Sequence, residues 1–204
     1  MKVTTYIFDL GNVLFQADMS RAITHWQKVS KLSDADMTAL ILESDIHYQF
    51  ERGHLSPECF FLHVRQILNT SAKYEYLISG WNSIYGDLIS CNYQAIVEFK
   101  KLGRVVAFTN TNNTHLSVWK NKYINQLSVF DKIYSSCEIG HRKPDLQSFQ
   151  FLLNDLNIKP GEAFFFDDKV ENIKSAEHLG ITSILVNDDQ VLVSIINERK
   201  NMNV

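Results

Sequence analysis

Three short apolar runs, Tyr6-Ile7-Phe8, Val105-Val106-Ala107-Phe108 and Phe164-Phe165-Phe166, each stop abruptly at a polar residue. A strand with one face in water alternates apolar and polar side chains, whereas a run apolar at every position is buried on both faces. The first run ends a strand over residues 3–8. Further strands are expected at residues 132–135 and 183–186, with helices over residues 93–102, 145–156, 171–179 and 190–199 between and after them. Strands alternating with helices imply right-handed βαβ units. The expected fold class is therefore α/β, a parallel sheet covered by helices on both faces, with ligands beyond the carboxyl ends of its strands.

Residues 18–89 follow a different pattern, with helical spacing and few strand signals. Ser33-Asp34 starts one helix, Gly53 breaks the run, and Ser56-Pro57-Glu58 caps a helix reaching residue 68. Trp26, Phe50, Phe60, Phe61, Trp81 and Tyr85 supply apolar faces for a small helical bundle. The expected division is a core of residues 1–17 and 90–204, interrupted by a helical insert of residues 18–89.

The net charge of −3 gives no basic field for nucleic acid or anionic lipid, so a phosphate-bearing ligand must be captured by local groups. Cys59, Cys91 and Cys137 are odd in number and far apart, against a disulfide framework and for a reducing compartment. The first fifteen residues lack the features of a signal peptide, and no stretch approaches the ~20 apolar residues of a membrane span. The expectation is a cytoplasmic protein without membrane or nucleic-acid partners; oligomeric state is unreadable.

The polar residues that end the runs carry chemistry. The first strand delivers Asp9, the second Thr109 and Asn110, the third Asp167 and Asp168, and a loop between the last two brings Lys143. Taken singly, each has an ordinary use as a turn, a helix cap or a solvated charge. Together they converge on one sheet edge. Carboxylates gathered in a cleft repel unless a cation lies among them, and oxygen donors of this kind suit Mg²⁺. A lysine and a hydroxyl beside the ion can hold phosphoryl oxygens, and a carboxylate there can attack phosphorus.

In this order, and over nearly the whole length, the motifs resemble those of the haloacid dehalogenase-like phosphatases. The resemblance implies a Rossmann-like core with a helical C1-type cap inserted after the first strand, and a Mg²⁺ cofactor. It implies Asp9 as a nucleophile that is transiently phosphorylated, Thr109 and Asn110 as phosphate-binding residues and Lys143 as the third-motif lysine. Asp9, the Gly11 carbonyl, Asp167 and Asp168 would hold the metal. The stretches YIFDLGNV, FERG, TNTN, HRKPD, FFFDD and LGITSILV are similar to the bacterial α-D-glucose-1-phosphate phosphatase subgroup. The phosphatase half of soluble epoxide hydrolase is a more distant likeness. The implied partner is a small phosphorylated metabolite, a sugar phosphate.

One position departs from the pattern. Most such phosphatases carry a second aspartate two residues after the nucleophile, to protonate the leaving group and activate water. Here it is Gly11. Acid–base assistance contributes ~10²–10⁴-fold. Three readings follow: a substrate with a good leaving group, a substitute such as Asn12, Asn110 or an ordered water, or binding without turnover. A metal-free 2-haloacid dehalogenase is a further alternative, opposed by the adjacent acids Asp167-Asp168. Secondary candidates are His141 for phosphate or as a solvated loop residue, and Arg142 for phosphate or an exposed ion pair. Asn172 is a candidate to orient Asp168 or a metal-bound water, or a helix surface position. Glu51-Arg52 and Trp81-Asn82 are candidates for a sugar, Trp81 otherwise packing in the core.

Overall fold

The computed structural model describes residues 5–202, so residues 3 and 4 of the expected first strand lie outside it. Five strands form a parallel sheet: β1 (Thr5–Phe8), β4 (Arg104–Thr109), β5 (Lys132–Ser135), β6 (Ala163–Asp167) and β7 (Thr182–Leu185). Their order is β5-β4-β1-β6-β7, which puts the three apolar runs side by side at the centre.

Why the runs are apolar throughout is visible in their packing. Side chains alternate across a strand. Tyr6, Phe8, Val105, Ala107, Phe164 and Phe166 enter one hydrophobic cluster. Ile7, Val106, Phe108, Ala163 and Phe165 enter the other. The first face is covered by helices Ser90–Leu102 and Val191–Met202, through Ile96, Phe99, Leu192 and Ile196. The second is covered by Leu146–Leu156 and Val170–His178, through Phe149, Leu152 and Ile173. This is the α/β sandwich that the runs require.

Between β2 (Phe15–Ala17) and β3 (Tyr85–Leu88) lies a helical cap of Ser20–Gln27, Asp34–Met37, Asp45–Glu51, Pro57–Ile67 and Tyr74–Asn82. Ser33, Ser44 and Ser56 cap three of these helices through their hydroxyls, as the first and third of those positions lead one to expect. A π-helical turn, Thr38–Leu42, extends the second helix. The cap has its own core. Trp26 and Trp81 stack at 5.8 Å, Phe50 and Phe60 at 4.3 Å, and all four are fully buried. Gly80 permits a close approach there, since a Cβ would lie 2.7 Å from the Trp26 Nε1.

Tyr85 corrects the helical reading of residues 18–89. Residues Tyr85–Leu88 form a strand antiparallel to Phe15–Ala17, with Phe15 opposite Leu88 and Ala17 opposite Tyr85. The pair is too short to show a strand period, so the aromatic spacing mimicked a helix. It joins the chain's departure into the cap to its return, directly above the sheet edge. Among the described residues no helix is long and apolar enough to cross a membrane.

Candidate active site at the carboxyl edge of the sheet

The register of the sheet fixes the floor of the site. Phe8 of β1 is level with Phe166 of β6, so Asp9 and Asp167 are the next residues of adjacent strands, tied by Asp9 N–H donating to the Phe166 carbonyl at 2.8 Å. By alternation both side chains turn to the side of Ile7 and Phe165. Lys143 enters on that side, fully buried, with its Nζ 5.2 Å from the Phe108 ring centroid and 5.4 Å from that of Phe165.

The Lys143 ammonium is held by three oxygens. It donates to the Phe108 carbonyl at 2.7 Å and to Asp167 Oδ2 at 2.6 Å, and lies 3.2 Å from Asp9 Oδ1. Burial would pull its pKa down, but the carboxylates of Asp167 and Asp9 outweigh that and hold it above the usual lysine value. Asp9 behaves oppositely. Burial pushes its carboxyl up; Lys143 lowers it, Asp167 and Asp168 raise it, and Leu10 N–H lowers it, leaving it at about 7. Asp9 Oδ1 also accepts the Leu10 N–H at 2.7 Å, while Asp9 lines the cavity described below.

Asp167 and Asp168 are adjacent but occupy different environments. Asp167 is fully buried. Its Oδ1 accepts from Lys169 N–H at 2.9 Å and from Asn172 Nδ2 at 2.8 Å, and its Oδ2 from Lys143. Asn172 therefore orients Asp167, not Asp168 as the sequence had suggested. Asp168 faces the cavity and accepts from Asn12 Nδ2 at 3.0 Å. Asn12 adopts φ +55°, a left-handed conformation that asparagine tolerates, and its Oδ1 accepts from Ala17 N–H at 3.0 Å. It thus links the loop after β1 to β2 and to Asp168.

Asp9, Asp167 and Asp168 each place a carboxylate oxygen within 4.8 Å of the others. Three acids so close fit a divalent cation, and Mg²⁺ suits a set of oxygen donors alone. The Gly11 carbonyl, at the cavity wall, accepts no backbone hydrogen bond among the described residues, so a fourth oxygen is available. A side chain at Gly11 would start 3.3 Å from the Ala17 Cβ, a close but not prohibitive approach.

Thr109 and Asn110 reach the site by different means. Thr109 ends β4 and lines the cavity, with no side-chain hydrogen bond among the described residues. Asn110 clamps the backbone of Lys143, donating to its carbonyl at 2.8 Å and accepting its N–H at 2.9 Å. That positioning task was not visible in the sequence.

A cavity of about 260 Å³ opens above these groups. Phe15, Ile84, Tyr85, His115 and Trp119 give it an aromatic and apolar wall, and His47, Glu51 and Arg142 a polar one. Glu51 lines it as the sequence suggests, but Arg52 instead pairs with Asp145 at 2.6 Å and Trp81 is buried core. His141 packs 5.8 Å from the Phe151 ring and is not among the lining residues. His47 went unnoticed, although its place four residues before Glu51 puts both on one helix face. The wall from Phe15 and Tyr85 depended on the missed strand pair.

Residues 27–186 match the haloacid dehalogenase-like hydrolase family. The chain belongs to that family. This haloacid dehalogenase-like hydrolase is 27% identical to D-ribitol-5-phosphate phosphatase of Bacteroides thetaiotaomicron, over 87% of its own length and 89% of the relative's. It is 28% identical over 90% of its length to drimenol cyclase drtB of Aspergillus calidoustus, but spans only 34% of that longer protein. A solved structure of a HAD-family enzyme from Bacteroides thetaiotaomicron, in complex with magnesium and inorganic phosphate, superposes with a TM-score of 0.74. The two are 25% identical, over 90% of this chain and 93% of that one.

Proposed function

We propose that the chain hydrolyses a small sugar or polyol phosphate through an aspartyl-phosphate on Asp9, with Mg²⁺ as cofactor. The observation that carries this reading is Asp9 at a strand end, open to the cavity, with Lys143 and two further acids fixed around it. In this reading residues 18–89 form a cap domain over a core of residues 1–17 and 90–204. The protein acts in the cytoplasm on a soluble metabolite.

Asp9, Asp168 and the Gly11 carbonyl would hold the cation, whose positive charge would keep Asp9 ionised and offset the charge of the phosphoryl group. Asp167 has three of its about four lone-pair sites committed to Lys143, Asn172 and Lys169, so it serves chiefly to hold the lysine. An Asp9 carboxylate oxygen attacks phosphorus, the bond to the leaving oxygen breaks, and that oxygen takes a proton from solvent water. Lys143 and the Thr109 hydroxyl donate to the phosphoryl oxygens as charge builds on them. Water then attacks the same phosphorus. The bond to Asp9 breaks, phosphate leaves and the carboxylate is restored.

Gly11 supplies no proton to the leaving oxygen. A substrate whose leaving group is already good, such as a sugar 1-phosphate, depends least on that proton. The likeness to the α-D-glucose-1-phosphate phosphatases supports that choice, and the D-ribitol-5-phosphate phosphatase supports a hydroxylated leaving group more generally.

The test is phosphate release from sugar phosphates, polyol phosphates and p-nitrophenyl phosphate, with and without Mg²⁺. Release that needs Mg²⁺ and vanishes in folded Asp9→Asn is the expected result. Activity that survives either change removes the mechanism.

A further inference from the structure

The polar wall of the cavity lies where the cap helix Asp45–Glu51 meets the loop that carries Lys143. Glu51 Oε2 accepts from Arg142 Nε at 2.7 Å, and both side chains are nearly buried. The Arg142 guanidinium lies 4.3 Å from the centre of the Tyr48 ring, which fixes its plane. Its terminal nitrogens make no hydrogen bond among the described residues.

His47 completes the group. Its Nδ1 lies 2.6 Å from the Leu42 carbonyl, and a carbonyl only accepts, so Nδ1 carries a hydrogen. The Trp81 ring, edge-on at 5.4 Å, holds the imidazole in place. In the neutral ring, Nε2 is then an acceptor. It faces Glu51 Oε1 at 3.8 Å, too long for a direct hydrogen bond, and Oε1 has no other partner among the described residues. Two acceptors and a set of unused guanidinium donors thus line one side of the cavity.

The charges decide what can bind there. The guanidinium is neutralised by Glu51, so a second phosphate or a carboxylate finds a spare acceptor as well as a cation. A purely apolar group leaves acceptors and donors unpaired, which is costly among side chains as buried as those of Glu51 and Arg142. A hydroxyl both donates and accepts. We propose that His47, Glu51 and Arg142 form a subsite for the hydroxyl groups of the leaving alcohol. The substrate is then a polyhydroxy compound whose one charged group is its single phosphate. This rests on the phosphatase reading above and adds to it the residues that select the alcohol.

Binding can be measured separately from turnover. In the Asp9→Asn protein with Mg²⁺, calorimetry compares a hexitol phosphate with n-hexyl phosphate, which has the same chain without hydroxyls. The hexitol ester binds more tightly. Glu51→Gln reduces that preference by ~10–100-fold, as for a lost bond to a charged group, and His47→Phe by ~2–10-fold, as for a lost bond to a neutral one. The second variant leaves the Glu51–Arg142 pair intact and controls for misfolding of the first. Equal binding of the two esters by the parent protein, or a preference untouched in both variants, overturns the subsite. Phosphate release by the wild-type protein then separates the two ideas. Release without the binding preference leaves the phosphatase reading standing and removes the subsite; the preference without release does the reverse.

Discussion

Lys143 and Arg142 are neighbours in sequence but belong to different parts of the cavity. Lys143 is held in the floor by Asp9, Asp167 and the Phe108 carbonyl, groups delivered by three adjacent strands of one sheet. Arg142 points the other way and is held by Glu51 and Tyr48 of the cap. The floor is rigid because a register shift in any strand would turn its side chains to the wrong face. The wall depends on how the cap packs, and so can vary while the floor stays fixed. In the proposed reading, chemistry resides in the first and the choice of alcohol in the second.

Removing the ammonium tests the floor most severely. In Lys143→Ala, Asp9 and Asp167 face each other without a counter-charge. Leaving a buried ionic group unpaired costs ~3–5 kcal/mol, and losing a donor to the transition state costs ~10²–10³-fold in rate. Denaturant melts and steady-state kinetics should show both effects. A mild loss in each would make Lys143 a bystander and the floor less coupled than its hydrogen bonds imply.

Trp81→Ala is the matching test of the wall. Trp81 is fully buried between Trp26, Phe60 and His115. A large aromatic lost from a packed core costs ~3–5 kcal/mol. The comparison predicts that the cost falls on the cap, with hydrogen exchange rising across Ser20–Gln27 and Tyr74–Asn82 while β1 and β6 stay protected. Loss of protection in the sheet to the same degree would mean that core and cap unfold as one unit.

His115 joins the two regions, and pH reads the joint. It is buried on the core helix Asn113–Lys122, its Nε2 lies 2.9 Å from the Trp81 carbonyl, and Asn112 meets its Nδ1 at 3.1 Å. Burial drives its pKa from 6.5 to about 3, opposed by the Trp81 carbonyl and aided by His47. The unfolded chain therefore binds the proton more readily. The stability from keeping His115 neutral is present above pH 6.5 and is lost as pH falls from there toward 3. The lost stability is on the order of a few kcal/mol. Carboxylates contribute to acid unfolding too, so the measurement is the difference between wild type and His115→Gln. A flatter stability curve in the variant between pH 6.5 and 4 is expected; parallel curves would mean that the imidazole is accessible to protons in the folded state.

The floor was legible in the sequence because a doubly buried strand must be apolar at every position, so its first polar residue stands out. Asp9, Thr109 and Asp167 were found that way, and Lys143 by its place in the loop between two of them. Other features left no such mark. The roles of Asp167 and Asp168 differ because one side chain meets Lys143 and Asn172 and the other meets Asn12, contacts set by the turn after β6. Asn110 turns its amide to the Lys143 backbone, a contact across 33 positions. The short strands Phe15–Ala17 and Tyr85–Leu88 are long-range partners with no period of their own. The wall depended on tertiary packing: Glu51 and Arg142 are candidates in the sequence, and the four-residue spacing of His47 and Glu51 is a further hint, but neither shows that they meet.

The smallest expected effect lies at the second ion pair between the two regions. Arg52 Nη2 meets Asp145 Oδ2 at 2.6 Å, with the side chains 22% and 33% exposed. Asp145 sits at the N-terminus of the helix Leu146–Leu156, yet its side chain makes no capping bond there. Its carboxylate serves Arg52 instead. Water reaches the pair, so its contribution is ~1 kcal/mol or less. Asp145→Asn keeps the shape and a weaker acceptor, and should lower the melting temperature only slightly, by an amount that shrinks in high salt. If the pair clasps the cap to the Lys143 loop, KM for a sugar phosphate rises in this variant while kcat holds, because the wall loosens and the floor does not. A fall in kcat with KM unchanged would instead assign Asp145 to the floor, acting through Pro144 on Lys143, and the boundary between the two regions would move to the far side of the loop.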